Sequence, residues 1–183
     1  MDKLIIKWSC LFLFILISSN IVSQNIEYKG DSVEIITEFP DLYHYHNFYI
    51  AGQVSLEALK WLKSKGVTKI INLRTQQEMT EFTKTSYNEA LQTKKMGFDY
   101  YIIEVLGLAG YNDENLQKFI PLINADEKIL IHCMTGIRAN DFFIAYLIKK
   151  QGYSIEEALK IGRQIKFLIP LEHLLNEKIT KEK

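Results

Sequence analysis

Apolar residues recur along the chain in short dense runs, separated by stretches with helical spacing. Residues 47–51, Asn-Phe-Tyr-Ile-Ala, predict a short strand, with another before it near 33–37. Gly52 to Val54 turns the chain, and Ser55 is placed to cap a helix presenting Leu56, Leu59 and Leu62 on one side. Lys63 and Lys65 lie near its end, and Gly66 supplies a left-handed stop. Residues 67–73 form an apolar strand ending at Arg74. Residues 76–96 are polar with helical tendency, and Gly97 closes them. The next strand, 98–105, is broken by Gly107-Leu-Ala-Gly110, after which Asn112 or Asp113 can cap a helix to about residue 123.

Residues 128–132 read as a strand covered on both faces. The helix after Cys133 carries Phe142, Phe143, Ile144, Tyr146, Leu147 and Ile148, apolar nearly all round, and ends at Lys149, Lys150 and Gly152. Ser154-Ile-Glu-Glu157 is a capping box opening an amphipathic helix with Ala158, Leu159 and Ile165. A short last helix follows Pro170, and the charged residues 177–183 are expected to fray. Strands alternating with helices predict an α/β fold, a mostly parallel central sheet with helices on both faces. Ligands of such folds gather at the carboxyl ends of strands, where Cys133 and Arg74 both stand. No repeat or Pro/Gly-rich linker divides the chain, so residues 24–183 are expected to form one domain with its core at about 45–168.

Residues 1–23 have a different pattern. Lys3 and Lys7 precede an apolar run from Trp8 to Ile17, and small and polar residues lead to Ser23. That three-part layout is a signal peptide, cleaved after Ser23, and implies an exported, periplasmic or secreted protein with no membrane contact after cleavage. An uncut anchor is the alternative, although the run is short for a spanning helix, which needs about 20 residues. The whole chain balances 22 basic against 22 acidic residues, and the signal removes only two lysines and one aspartate. Near-neutral charge gives no global attraction to nucleic acid or anionic surfaces, so any anion site must be built locally. Cys10 leaves with the signal; Cys133 then has no internal disulfide partner, which points to a reactive thiol or a buried structural one.

The string Ile129-Leu-Ile-His-Cys-Met-Thr-Gly-Ile-Arg138 decides between these. It places a thiol between a buried strand and a helix N-terminus, where loop N–H groups and the helix dipole favour the thiolate and a bound anion. Gly136 lets the backbone approach an anion without a Cβ in the way, Met134, Thr135 and Ile137 complete the cradle, and Arg138 offers a fork to two oxyanion oxygens. The chemistry this suits is attack by Cys133 on phosphorus, with water hydrolysing the thiophosphate afterwards. His132 orients the loop rather than acting as a base.

His132-Cys133-x-x-Gly136-x-Arg138 resembles the signature loop of the cysteine-dependent tyrosine and dual-specificity phosphatases. Ile50-Ala-Gly-Gln-Val-Ser-Leu-Glu-Ala-Leu59 and Gly66-Val-Thr-Lys-Ile-Ile-Asn-Leu-Arg74 further resemble the bacterial phosphatase-like domain of beta-lactamase-hydrolase-like proteins, so the likeness spans roughly residues 45–165. It implies a phosphatase acting on a phosphorylated protein or small molecule, with no metal or organic cofactor. Two departures stand out. Only four residues separate Cys133 from Arg138, where most of the superfamily has five, and Ala139 replaces the Ser or Thr that assists the leaving thiolate. The shorter loop is similar to that of rhodanese-like sulfurtransferases, which form a persulfide, and the missing hydroxyl leaves open a catalytically silent anion-binding module.

A general acid contributes roughly 10²–10⁴-fold in rate; Asp113 is the candidate, and capping the following helix is its other role. Arg74 can bind substrate phosphate or pair with Glu78. Tyr43-His-Tyr-His46 lacks further ligands and reads as packing rather than a metal site. The sequence carries no signal of oligomeric state.

Overall fold

The computed structural model describes residues 32–81, 87–166 and 171–176. Residues 1–23, expected to be an export signal, and the 177–183 tail therefore lie outside the described residues. Among the described residues six strands form one sheet: β1 (Glu34–Ile35), β2 (Leu42–Tyr45), β3 (Phe48–Ala51), β4 (Lys69–Asn72), β5 (Asp99–Ile102) and β6 (Ile129–His132). Their order is β1-β2-β3-β6-β4-β5. β3, β6, β4 and β5 run parallel, while β1 and β2 attach antiparallel at the β3 edge. The α/β expectation holds, with an antiparallel hairpin at one side.

Helices α1 (Leu56–Ser64), α2 (Gln76–Glu81) and α3 (Glu89–Lys95) alternate with the first strands; α4 (Asp113–Phe119), α5 (Ile137–Gln151), α6 (Ile155–Ile165) and α7 (Glu172–Leu175) follow. Local chemistry sets many of their ends. The Ser55 hydroxyl accepts the Ala58 N–H at 3.1 Å, and the Ser154–Glu157 capping box is complete. Gly66 adopts φ +85°, the left-handed stop read from the sequence, and Gly152, where α5 was expected to end, adopts φ +76°. The 107–110 segment winds as a 3₁₀ turn, and Asn112, not Asp113, caps α4.

Alternation along each strand divides the core between two faces. Ile70 and Leu130 face Ala58, Leu59, Leu62 and Phe98 on one side. Ile71, Leu73, Ile129 and Ile131 face Phe142, Phe143 and Tyr146 of α5 on the other, with Leu116, Ile161 and Leu174 completing that layer. The four residues of β6 are all buried, as its uninterrupted apolar run requires at the sheet centre. Each fully buried large side chain contributes roughly 1.5–3 kcal/mol. Among the described residues no helix is long and apolar enough to cross a membrane.

Two readings change. Tyr43 to Tyr45 lie within strand β2, where His44 pairs with Glu34 at 2.9 Å and stacks on Tyr49. The described residues of the polar stretch 76–96 include helices α2 and α3, whose acidic residues reach back to the ends of the central strands.

Candidate active site

The parallel strands end on one side of the sheet, and β6 delivers Cys133 there. The loop that follows lies against the end of β3. Cys133 N–H donates to Ala51 O at 3.3 Å, and Gln53 N–H donates to Met134 O at 3.1 Å. Contact this close favours glycines on both sides. A Cβ on Gly52 would stand 3.3 Å from Met134 O, and one on Gly136 would stand 3.3 Å from the Ala51 carbonyl carbon. Gly136 also has φ +88°, strained for any other residue. It starts α5, whose first N–H groups have no intrahelical acceptor and whose dipole favours an anion.

Cys133 is wholly buried, and its Sγ accepts the Gly136 N–H at 3.1 Å. Arg138 is fixed by acceptors from three segments. Its Nη1 donates to Leu73 O at 3.1 Å, Val105 O at 2.8 Å and Glu78 Oε2 at 2.8 Å, and its Nη2 donates to Glu78 Oε1 at 2.5 Å. Glu78 thus grips the Nη1–Nη2 edge with two parallel hydrogen bonds. Burial works against the guanidinium charge, but Glu78 and Cys133 outweigh it and hold Arg138 above its ordinary pKa. Burial likewise pushes the Glu78 carboxyl up, and Arg138 with Thr75 more than offsets this, leaving it below the usual value. It is an anion at working pH.

Thr75, Gln77, Glu78, Leu106, Tyr111, Thr135, Ile137 and Arg138 are among the walls of a cleft of ≈ 480 Å³. Leu106 and Leu108 stand 67% and 65% exposed at its rim, so the cleft mouth is apolar. Among the described residues lining it, Glu78 is the one carboxylate.

The loop residues expected to cradle an anion divide accordingly. Thr135, Ile137 and Arg138 line the cleft, while Met134 and Gly136 hold the loop against β3. Two expected residues are not brought there. Arg74 is only 2% exposed and pairs at 2.9 Å with Glu89, not with Glu78 or the cleft. Strand alternation sends it with Asn72 to the α1–α3 face, and Asn72 Oδ1 accepts from its Nε at 3.2 Å. Asp113 is exposed on the first turn of α4, where its carboxylate accepts from Gln117 at 3.4 Å, and it is absent from the cleft wall.

His132 faces the same side as Arg74, its Nε2 at ion-pair distance, 2.9 Å, from Glu89 Oε1. Neither ring nitrogen completes a hydrogen bond among the described residues. Ala139 is buried and offers no hydroxyl near the loop.

Three acidic residues at the site were not identified from the sequence. Glu78 had a signal: Thr75-Gln-Gln-Glu78 is a capping box, with Thr75 N–H donating to Glu78 Oε2 at 2.9 Å and Glu78 N–H to Thr75 Oγ1 at 3.2 Å. Glu89 had none. Nor did Asp141, which is buried on α5 and accepts the Tyr111 hydroxyl at 2.8 Å. Burial first, then the Asp141 charge, raise the Tyr111 pKa and keep it a phenol.

A thiol at a strand-to-helix loop with an arginine clamped beside it, on a mostly parallel sheet, is an arrangement that fits the cysteine-dependent phosphatases. A family model described as "DSP-PTPase phosphatase fused to NAD+ Kinase" matches residues 33–166, and the chain belongs to this family of DSP/PTP-type phosphatases, hydrolases of phosphoesters. No curated protein matches the chain in sequence.

Solved structures share the fold. PTPMT1 in complex with PI(5)P is 21% identical with a TM-score of 0.60, covering 72% of this chain and 90% of that one. Tk-PTP in its active form is 18% identical at 0.56, covering 75% and 92%. TpbA of P. aeruginosa in complex with pTyr is 14% identical at 0.57, covering 74% and 79%.

Proposed function

We propose that the chain hydrolyses phosphomonoesters through a covalent Cys133 intermediate. The thiolate attacks phosphorus in line, the S–P bond forms as the ester P–O bond breaks, and the leaving oxygen departs as an anion or takes a proton from water. Water then cleaves the S–P bond, releasing inorganic phosphate and restoring the thiolate. The non-bridging oxygens sit on the N–H groups of the 133–138 loop and on the Nε–Nη2 edge of Arg138. The observation that supports this most is Cys133 Sγ under the Gly136 N–H, at the N-terminus of α5 and next to an arginine already oriented by Glu78. The four-residue spacing, similar to that of sulfurtransferases, here belongs to a member of a phosphatase family.

The proposal includes the chemistry of the leaving group. The carboxylate in the cleft is ionised and engaged with Arg138, so it supplies no proton. Loss of acid catalysis costs roughly 10²–10⁴-fold. The substrate then needs a leaving group stable as an anion or protonated by water, and the apolar mouth favours an uncharged organic group. Residues 1–23 carry the sequence layout of an export signal, so the activity is proposed to operate outside the cytoplasm.

The test is release of nitrophenol from p-nitrophenyl phosphate by the full chain lacking its first 23 residues. Expected outcomes are turnover by wild type, inhibition by tungstate, and none in Cys133→Ser. Equal turnover in that variant would remove Cys133 from the reaction. Transfer of sulfur from thiosulfate to cyanide, without phosphate release, would replace the phosphatase reading with the sulfurtransferase one.

A further inference from the structure

Behind the loop, on the face of the sheet covered by α1 and α3, one buried carboxylate gathers partners from four segments. Glu89, on the first turn of α3, accepts Gln53 Nε2 at 2.6 Å and Arg74 Nη2 at 2.9 Å on one oxygen. Its other oxygen accepts the Tyr100 hydroxyl at 3.0 Å and lies 2.9 Å from His132 Nε2. Tyr100 belongs to β5 and His132 to β6; Arg74 follows β4, and Gln53 follows β3. Burial alone would push the Glu89 carboxyl up, but His132, then Arg74 and Gln53, hold it at about 2, so it is ionised throughout the working range.

Removing a carboxylate from water costs several kcal/mol unless its partners repay it, and a well-packed apolar cluster is often as stable. Stability alone therefore does not require this ion. Two of its four partners flank the nucleophile. His132 is the residue before Cys133, and Gln53 holds the residue after it, through its backbone N–H on Met134 O at 3.1 Å. The Gln53 side chain has no role in the cleft; its amide is turned to Glu89. Gly52, adjacent to it, packs on the backbone of Met134 and Thr135.

We propose that Glu89 is a positioning residue for the phosphate loop, fixing the backbone on both sides of Cys133 through His132 and Gln53. This rests on reading residues 133–138 as the phosphate site. Glu89 itself touches neither substrate nor sulfur. A loop shifted by about 1 Å can lose 10²-fold in rate, because its N–H groups no longer meet the oxyanion.

The variants are Glu89→Gln, Gln53→Ala and the two combined, measured well below their melting temperatures with unchanged circular dichroism. For Glu89→Gln, kcat/KM on p-nitrophenyl phosphate is expected to fall about 10- to 100-fold, with tungstate inhibition weakening in parallel. Gln53→Ala is expected to lose part of the same effect, and the double variant no more than Glu89→Gln alone, because both act through one link. Unchanged turnover and tungstate inhibition alongside a lowered melting temperature would make Glu89 structural only and overturn the proposal. Independent, multiplying effects would overturn the Gln53 link. Should Glu89→Gln fail to fold, Gln53→Ala decides: full activity and full tungstate inhibition in it refute the proposal.

A second readout separates this proposal from the functional one. Tungstate should protect Cys133 of wild type from iodoacetamide, and that protection should weaken in Glu89→Gln. Wild type that is protected yet hydrolyses nothing would end the phosphatase reading while the alkylation rates still measure the loop.

Discussion

Replacing Glu78 by Gln is the sharpest perturbation of the site, because it preserves shape and removes one charge. Glu78 accepts four hydrogen bonds: from Thr75 N at 2.9 Å, Thr75 Oγ1 at 3.3 Å, and the two Arg138 amino groups at 2.8 and 2.5 Å. A glutamine offers one acceptor oxygen, so at least one of these donors comes to face the amide NH₂. A hydrogen bond to a charged group contributes about 1.5–3 kcal/mol. The two side chains are 13% and 22% exposed, so some of this is screened, and about 2 kcal/mol is a fair working figure.

At about 1.4 kcal/mol per decade, the corresponding loss in kcat/KM is roughly 10- to 30-fold. At about 2–4 °C per kcal/mol for a domain of this size, melting falls by roughly 4–8 °C. The competing effect is repulsion, since Glu78 is an anion near a site meant for phosphate. On the proposed reading the guanidinium stands between the two: Glu78 holds the Nη1–Nη2 edge, and phosphate would take the edge containing Nε. Orientation should therefore outweigh repulsion. Steady-state kinetics on p-nitrophenyl phosphate and a tungstate inhibition series measure both. Tighter tungstate binding with undiminished kcat/KM in Glu78→Gln would refute the argument, showing Glu78 to be a competitor of the substrate rather than a clamp.

Three other outcomes are expected. Arg74→Met leaves the Glu89 carboxylate buried with one cation fewer, costing about 3–5 kcal/mol in urea-unfolding experiments, while KM for p-nitrophenyl phosphate stays within about threefold because Arg74 is outside the cleft. Asp113→Asn should leave kcat unchanged within about twofold; a fall approaching the 10²–10⁴-fold of general acid catalysis would mean that α4 moves to bring Asp113 over the site. Glu89 has a folded pKa of about 2, below its unfolded value, so its contribution is present above about pH 4.5 and lost as pH falls towards 2. Urea midpoints of wild type should decline across that window, by up to roughly 3 kcal/mol in stability, and those of Glu89→Gln should decline less; parallel curves would assign the acid sensitivity elsewhere.

The pattern of what could be read from the sequence follows from how far each interaction reaches. Ser55, Gly66, Gly152 and the Ser154 box act within one helical turn, and each sits where its residue type places it. Cys133 and Arg138 are likewise legible, because a loop and the first turn of a helix bring them together without help from the rest of the chain. Strand β2 was missed for a local reason too. It joins β3 through a two-residue turn at His46 and Asn47, and His46 takes φ +53° where glycine or asparagine is usual.

The acidic residues required the sheet order. Arg74 and Glu78, four apart in sequence, invite an ion pair, yet the chain passes from β4 to α2 between them. Alternation turns Asn72 and Arg74 to the α1–α3 face and Leu73 to the α5 face. Glu78 then lies on the same side as Arg138, sixty residues later, and Arg74 meets Glu89. Because β6 is inserted between β3 and β4, the loop bearing Cys133 has one carboxylate on its arginine in front and another on its histidine behind. Both are consequences of strand order, which the loop sequence by itself does not contain.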